Sequence, residues 1–310
     1  MILARMIGLR LATGLLVLWG AATLTFLAVH ATAGDPAIAI LGGPDALPTP
    51  AVVAQVRKDY GLDDPLAVQY AHYLGRLARG DLGESYRLHA PVATVIGEQL
   101  GSTLLLAFWA MSTALAAAVI VATLTAGRSR IGRQVVATTE IVLIAVPNFV
   151  IGIGLLYVLA YVLRVLPVAG SEGWRSLVLP VLTLAIPAGS MLSQVMRNEL
   201  DQVLEQPFIV TARARGLSEA GVRLRHALRH GLLPVLTLGG YVFGFLLGGA
   251  VVTETLFARR GVGRLMVDSA TTSDIPVVTG IALLAALSYV LVTLAVDIAG
   301  NALDPRIAAP

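Results

Sequence analysis

The chain has 310 residues, 56% of them hydrophobic and 13% charged, no cysteine, and a mean hydropathy of +0.80. This composition excludes an ordinary soluble domain and indicates a polytopic membrane protein, while the absence of thiols excludes disulfides and thiolate metal sites. The net charge is only +3, and no basic face carries the interleaved aromatics that nucleic-acid binding requires.

Six uncharged runs are long enough to span a bilayer: Leu11–Val29, Gln99–Gly127, Ile141–Leu163, Ser176–Met196, Gly231–Thr253 and Ile275–Val296. A span needs about 20 apolar residues at a rise of about 1.5 Å each. The first run follows Arg5 and Arg10, and Ala31-Thr32-Ala33 after it has the small residues of a signal-peptidase site. The run exceeds the roughly 7–15 residues of a signal-peptide core, so an uncleaved first helix is expected. With the N-terminus inside, the inner segments hold 12 arginines and the short outer loops five. That asymmetry places both termini in the cytoplasm.

The outer segment between the first two spans carries the punctuation of two short helices. Thr49 and Pro50 open one and Gly61 follows it; Asp64, Pro65 and Gly80 repeat the pattern around a second. Leu66, Tyr70, Tyr73, Leu74 and Leu77 give the second helix an apolar face. Farther along, the third span contains Pro147-Asn148, and Pro180 and Pro187 lie in the fourth. Membrane helices tolerate proline as a kink because neighbouring groups re-satisfy the freed backbone carbonyls. The fifth span places Gly240, Gly244 and Gly248 on one face, a spacing that lets helices approach closely, either within the chain or between subunits. Glu140, Glu254 and Asp297 stand near predicted span ends, where local pairing or solvation is the plainer expectation.

Between the fourth and fifth spans runs a basic amphipathic stretch, Thr211 to Pro234, divided at Gly216. Leu217, Ala220, Leu224, Ala227, Leu228 and Gly231 follow helical spacing, with Arg223 and Arg229 off that stripe. His226 and His230 are four apart, but Ala227 stands where a zinc protease has its glutamate, so no metal site is expected. The single lysine, Lys58, follows no glycine-rich turn, so the chain carries no phosphate-binding ATPase loop of its own. No reactive constellation marks it as an enzyme.

The stretch VTARARGLSEAGVRLRHALRHGLLPVLT resembles the EAA loop of ATP-binding-cassette importer permeases of the dipeptide/oligopeptide/nickel branch. Further matches are AGDPA (33–37), YGLDDPLAVQY (60–70), GDLGES (80–85), AVPNF (145–149), LPVLTLAIP (179–187), GGAVVTETLF (248–257) and LDPRI (303–307). Their order and spacing over nearly the whole chain make it similar to the subunit with the longer outer segment. Two departures stand out. Val210 and Thr211 replace the Glu and first Ala of EAA, and Arg259-Arg260-Gly261 stands where relatives have an aromatic or apolar residue, then proline, before the glycine.

The resemblance implies an all-α, six-span type I permease fold. It comprises an N-terminal span (1–30), an extracytoplasmic helical segment (31–98) and a permease core (99–310) with a cytoplasmic loop at 197–230. It further implies half of a translocation pore for di- or oligopeptides in a bacterial or archaeal cytoplasmic membrane. Expected partners are a second, homologous permease subunit, two ATPases holding ATP and Mg, and an extracytoplasmic solute-binding protein. Arg213, Ala214, Arg215, Gly216, Leu217, Ser218 and Glu219 would form the joint that couples the ATPases to the pore. Here Gly216 permits a φ > 0 break, Ser218 is the expected N-cap, and Arg213 and Arg215 are positioned to meet acidic or carbonyl groups on an ATPase. Asn148, Gln194 and Glu254 are candidate pathway or gate positions, with helix–helix hydrogen bonding as the alternative role. The rival function is a stand-alone channel or ion-coupled carrier.

Overall fold

The computed structural model describes residues 2–31, 36–41, 48–59 and 61–303. Most of the AGDPA and LDPRI matches, Thr32-Ala33 of the cleavage candidate, Arg306 and the side chain of Asp297 lie outside what is described. In chain order the helices are α1 (Ile2–Ala31), α2 (Pro36–Ile40), α3 (Pro50–Asp59), α4 (Leu66–Ala78), α5 (Val92–Thr125), α6 (Arg130–Ala145) and α7 (Asn148–Leu155). They continue with α8 (Arg175–Leu204), α9 (Pro207–Ala214), α10 (Glu219–Gly221), α11 (Leu228–Leu256), α12 (Val262–Thr271) and α13 (Ile275–Leu303). Wider π-type turns extend α7 through Leu156–Val162 and join α10 to α11 through Val222–Ala227.

Among the described residues five helices are long and apolar enough to cross a bilayer, and a sixth crossing requires counting α6 and α7, with the turns that extend it, together. The expected third span, Ile141–Leu163, is not one rod. It breaks by 102° between Ala145 and Asn148. Pro147 removes a backbone donor and pushes the preceding Val146 to φ −74°, ψ 127°, so α6 stops at Ala145. α6 also begins earlier than the apolar run suggested, at Arg130, with Ser129 accepting the Gly132 amide as its N-cap. By contrast, α8 continues through Pro180 and Pro187 as one helix.

The chain divides into two compact units, Met1–Thr103 with Arg260–Val290, and Leu104–Arg259 with Leu291–Pro310. In the first, Val92, Ile96, Val262, Val277 and Ile281 form the core. The outer helices fall where Pro50, Gly61, Pro65 and Gly80 predict them, and both glycines have positive φ. α4 starts one residue later than expected, with Pro65 as its N-cap, and Leu66 on its predicted apolar face is exposed. The other four residues of that face are half-buried. Tyr70 and Tyr73 meet Phe26 of α1 at ring-centroid distances of 5.2 and 5.7 Å, and the Tyr70 hydroxyl lies 2.6 Å from Thr23 Oγ1. The buried Asp274 carboxylate accepts the Ser85 hydroxyl and the Tyr86 and Arg87 amides, tying the 81–91 turn to the start of α13.

The second unit is built on a seam of small residues. Leu106, Ala110, Ala114, Ala118 and Ala122 of α5 and Ala126 just after it, each four apart, are all fully buried. Against them lie Leu184, Leu192, Met196 and Leu200 of α8. A Cβ added to Gly189 would stand 3.1 Å from the Ala114 carbonyl oxygen, so here the two backbones nearly touch. In lipid, helices gain little hydrophobic drive from associating, and close van der Waals contact between small residues supplies the attraction.

Candidate functional site

The segment after α8 is shaped by local backbone chemistry. Pro207 opens α9 at a first-turn position, where its missing N–H is not needed. Ile209 and Ala212 turn inward and are buried. At the other end Gly216 adopts φ +81°, its amide donates to the Arg213 carbonyl at 2.9 Å, and the Leu217 amide donates to the Ala212 carbonyl at 3.4 Å. This paired bonding closes the helix with a left-handed glycine, the Schellman arrangement. Ser218 then caps α10 by accepting the Gly221 amide at 3.2 Å, with Glu219 in the first turn.

Across this corner Arg213 Nε donates to Glu219 Oε1 at 2.8 Å and its Nη2 to Oε2 at 3.2 Å. The hydrogen bond raises the Arg213 pKa and, with the guanidinium charge, holds the Glu219 carboxyl below the usual carboxylate range. Arg213 is therefore engaged within the chain by Glu219. Ala214, Arg215 and Gly216 are exposed, as are Phe208, Val210, Leu224, Arg225 and Arg229 nearby. The segment thus presents arginines and apolar side chains together.

The predicted amphipathic stripe holds only in part. Ala227 and Gly231 are buried and Leu217 and Leu228 half-buried, but Ala220 and Leu224 are exposed while Val222 is buried. The cause is the π-type turn over Val222–Ala227, which moves the inward face to residues five apart and breaks the 3.6-residue phase. His226 is half-buried and His230 exposed beside the Phe208 ring, 5.6 Å between centroids. No group of three His, Asp or Glu side chains able to hold a metal occurs among the described residues.

Two polar links anchor the C-terminal half of α8, which leads into this segment. Arg197 forms a bidentate pair with Glu140 of α6, at 2.9 and 2.5 Å, both side chains being almost fully buried. One turn later Asp201 accepts the Gly127 amide at 2.8 Å and Arg133 at 3.2 Å. The positive-inside count used Arg197 and Arg133 only as charges. Neither pairing has a sequence signal beyond the presence of the residues.

The weaker candidates are dispersed. Asn148 begins α7, half-buried, with its Nδ2 3.4 Å from where a Gly249 Cβ would stand. Gln194 is half-buried on α8, and its Nε2 has no hydrogen-bond partner among the described residues. Glu254 is fully buried near the end of α11. Arg259, in the departure noted above, is buried as well: desolvation lowers its pKa, with the Glu254 carboxylate opposing that shift. Of the three spaced glycines, Gly240 faces α13 so closely that an added Cβ would lie 1.7 Å from Val296 Cγ2. A Cβ added at Gly244 or Gly248 would meet nothing within 4 Å among the described residues.

Comparison with known proteins agrees with this architecture. Residues 114–309 match the family of binding-protein-dependent transport system inner membrane components, and residues 2–107 match the N-terminal family of such membrane components. The glutathione transport system permease protein GsiC of Salmonella choleraesuis (strain SC-B67) is 38% identical over 310 residues, covering 99% of this chain and 98% of that protein. GsiC of Escherichia coli (strain K12) is 38% identical over 288 residues, 92% of each chain. A solved structure described as an amino acid ABC transporter with histidines shares the fold at a TM-score of 0.50 and 18% identity, over 69% of this chain and 94% of that one. The chain belongs to the binding-protein-dependent transport system inner-membrane components and is a multi-pass permease component of an ABC importer, with the type I permease fold.

Proposed function

We propose that this chain forms half of the translocation pore for small peptide-like solutes and is driven by ATPases through the corner at 213–219. The observation carrying this reading is that corner itself: a left-handed Gly216 between two capped helical pieces, braced by Arg213–Glu219 and surrounded by exposed arginines and apolar side chains. A rigid corner on a charged and apolar surface suits a helix that must be pushed without bending. The relatives named for glutathione, itself a small peptide, support the substrate class. The other half of the pore is a homologous permease, and an extracytoplasmic solute-binding protein delivers the substrate. Two separate ATPase chains bind ATP and Mg, so this chain needs no cofactor of its own. The arginine asymmetry supports cytoplasmic termini.

The test is reconstitution in proteoliposomes with the partner permease and the ATPase pair. An added Cβ at Gly216 meets nothing within 4 Å among the described residues, so substitution there probes chiefly backbone conformation. Gly216→Asn, which tolerates positive φ, keeps solute-stimulated ATP hydrolysis, whereas Gly216→Val uncouples it. Equal activity of the two variants refutes the coupling role. Transport in vesicles lacking the ATPases refutes the importer reading in favour of a channel or ion-coupled carrier.

A further inference from the structure

The first unit holds a cavity of about 800 Å³ that the transport reading leaves unused. It lies between the last turns of α1, the middle of α4, the 81–86 turn and the first turn of α13. The end of the span Gly8–Ala31 and the start of the span Ile275–Val296 both border it. The cavity therefore sits at a depth where hydrocarbon gives way to headgroups.

Its lining carries both signs of charge. Arg76 and Arg79, three apart at the end of α4, reach the cavity, and neither guanidinium has a carboxylate partner among the described residues. Asp81 and Glu84 line it from the adjoining turn, Asp81 already accepting the Gly83 amide at 2.8 Å. Phe26 and Tyr73 supply an aromatic wall. Gly75 is the notable residue. It lies within α4, where glycine is less favourable than alanine, and an added Cβ would meet nothing within 4 Å among the described residues. Neither positive φ nor close packing requires glycine there, and its missing side chain leaves the cavity wider.

We infer that this cavity binds the headgroup of a zwitterionic aminophospholipid, the phosphodiester on Arg76 and Arg79 and the ammonium on Asp81 and Glu84. Guanidinium groups match phosphate oxygens with directed, charge-assisted hydrogen bonds. A primary ammonium offers three donors to carboxylates, and a trimethylammonium offers none. The paired acids disfavour a purely anionic headgroup, and the position at the span ends favours a lipid over a soluble zwitterion. The volume falls within the range of about 300–1,000 Å³ usual for small-molecule sites.

The test uses the purified full chain in detergent, incubated with equal amounts of phosphatidylethanolamine, phosphatidylcholine and phosphatidylglycerol, with retained lipid counted by native mass spectrometry. Phosphatidylethanolamine is retained preferentially, and the double variant Arg76→Ala/Arg79→Ala loses roughly tenfold or more of that affinity, a difference the method resolves. Gly75→Trp, which fills the cavity, abolishes retention, while Gly75→Ala preserves it. Unchanged melting temperatures establish that the variants fold, and if the tryptophan variant does not fold, the double arginine variant carries the test. Equal retention of phosphatidylglycerol or phosphatidylcholine overturns the proposal, as does retention that ignores both the arginine and tryptophan substitutions. Displacement of the lipid by a soluble dipeptide such as glycyl-leucine also overturns it, and assigns the cavity to a soluble zwitterion.

Discussion

Arg197 of α8 grips Glu140 of α6 through two hydrogen bonds, with both side chains almost wholly removed from solvent. Such a pair is worth little as a source of net stability, because desolvating two charges offsets most of their attraction. Breaking it by removing one partner is different, since a buried charge is left uncompensated. Glu140→Gln or Arg197→Met should therefore destabilise the chain by about 3–5 kcal/mol. The double variant Glu140→Leu/Arg197→Met should recover most of that loss. Thermal unfolding in detergent measures both, and additive losses in the double variant would contradict the pairing argument.

The α5–α8 seam predicts a size limit. Ala114 and Ala118 are fully buried in the core, Ala114 at the close backbone approach to Gly189. Ala118→Leu should cost about 1–3 kcal/mol through overpacking. Gly189→Ala should also destabilise, because the obstructing atom is backbone and cannot rotate away. Leu substitutions at exposed Ala116 or Ala117 of the same helix provide the control, and melting temperatures distinguish the two faces.

Three glycines with the same spacing should behave differently. Gly240→Leu must collide with Val296 within the chain and lower the stability of the isolated subunit. A Cβ added at Gly244 or Gly248 meets nothing within 4 Å among the described residues, so Gly244→Ala and Gly248→Ala should leave its melting unchanged. Any effect they have should appear only as weaker assembly with the second permease subunit, read by size-exclusion chromatography of the co-expressed pair.

The Arg213–Glu219 brace has a defined pH dependence. The carboxyl's folded pKa is lowered, so its contribution is complete above the unfolded carboxylate value and is lost as pH falls through the folded value. The raised pKa of Arg213 lies above any working pH and adds no transition there. Glu219→Gln should therefore reduce coupled ATP hydrolysis at neutral pH, and the gap from the unsubstituted protein should close in acid. A gap that is constant with pH would show that the carboxylate charge is not what braces the corner.

The sequence by itself determined the features that depend on a few consecutive residues. Apolar runs identified the spans, Pro50, Gly61 and Gly80 delimited the outer helices, and Gly216 and Ser218 marked the corner between α9 and α10. Backbone dihedral preferences and bonds within one turn are properties of the local chain, so they survive whatever packs around them. Tertiary structure decided the rest. Glu140 and Arg197 are 57 residues apart, and Ser85 and Asp274 are 189 apart, so nothing local announces either pair. The alanines of α5 had a readable four-residue spacing, but only the facing Gly189 gives that spacing its meaning. Likewise Pro147 announced a kink but not a break of 102°, and Leu224 lost its inward place to a widened turn. Which glycine is crowded, which charge is neutralised and which apolar face is covered depend on the helix that arrives opposite, and that contact is set by packing across the whole chain.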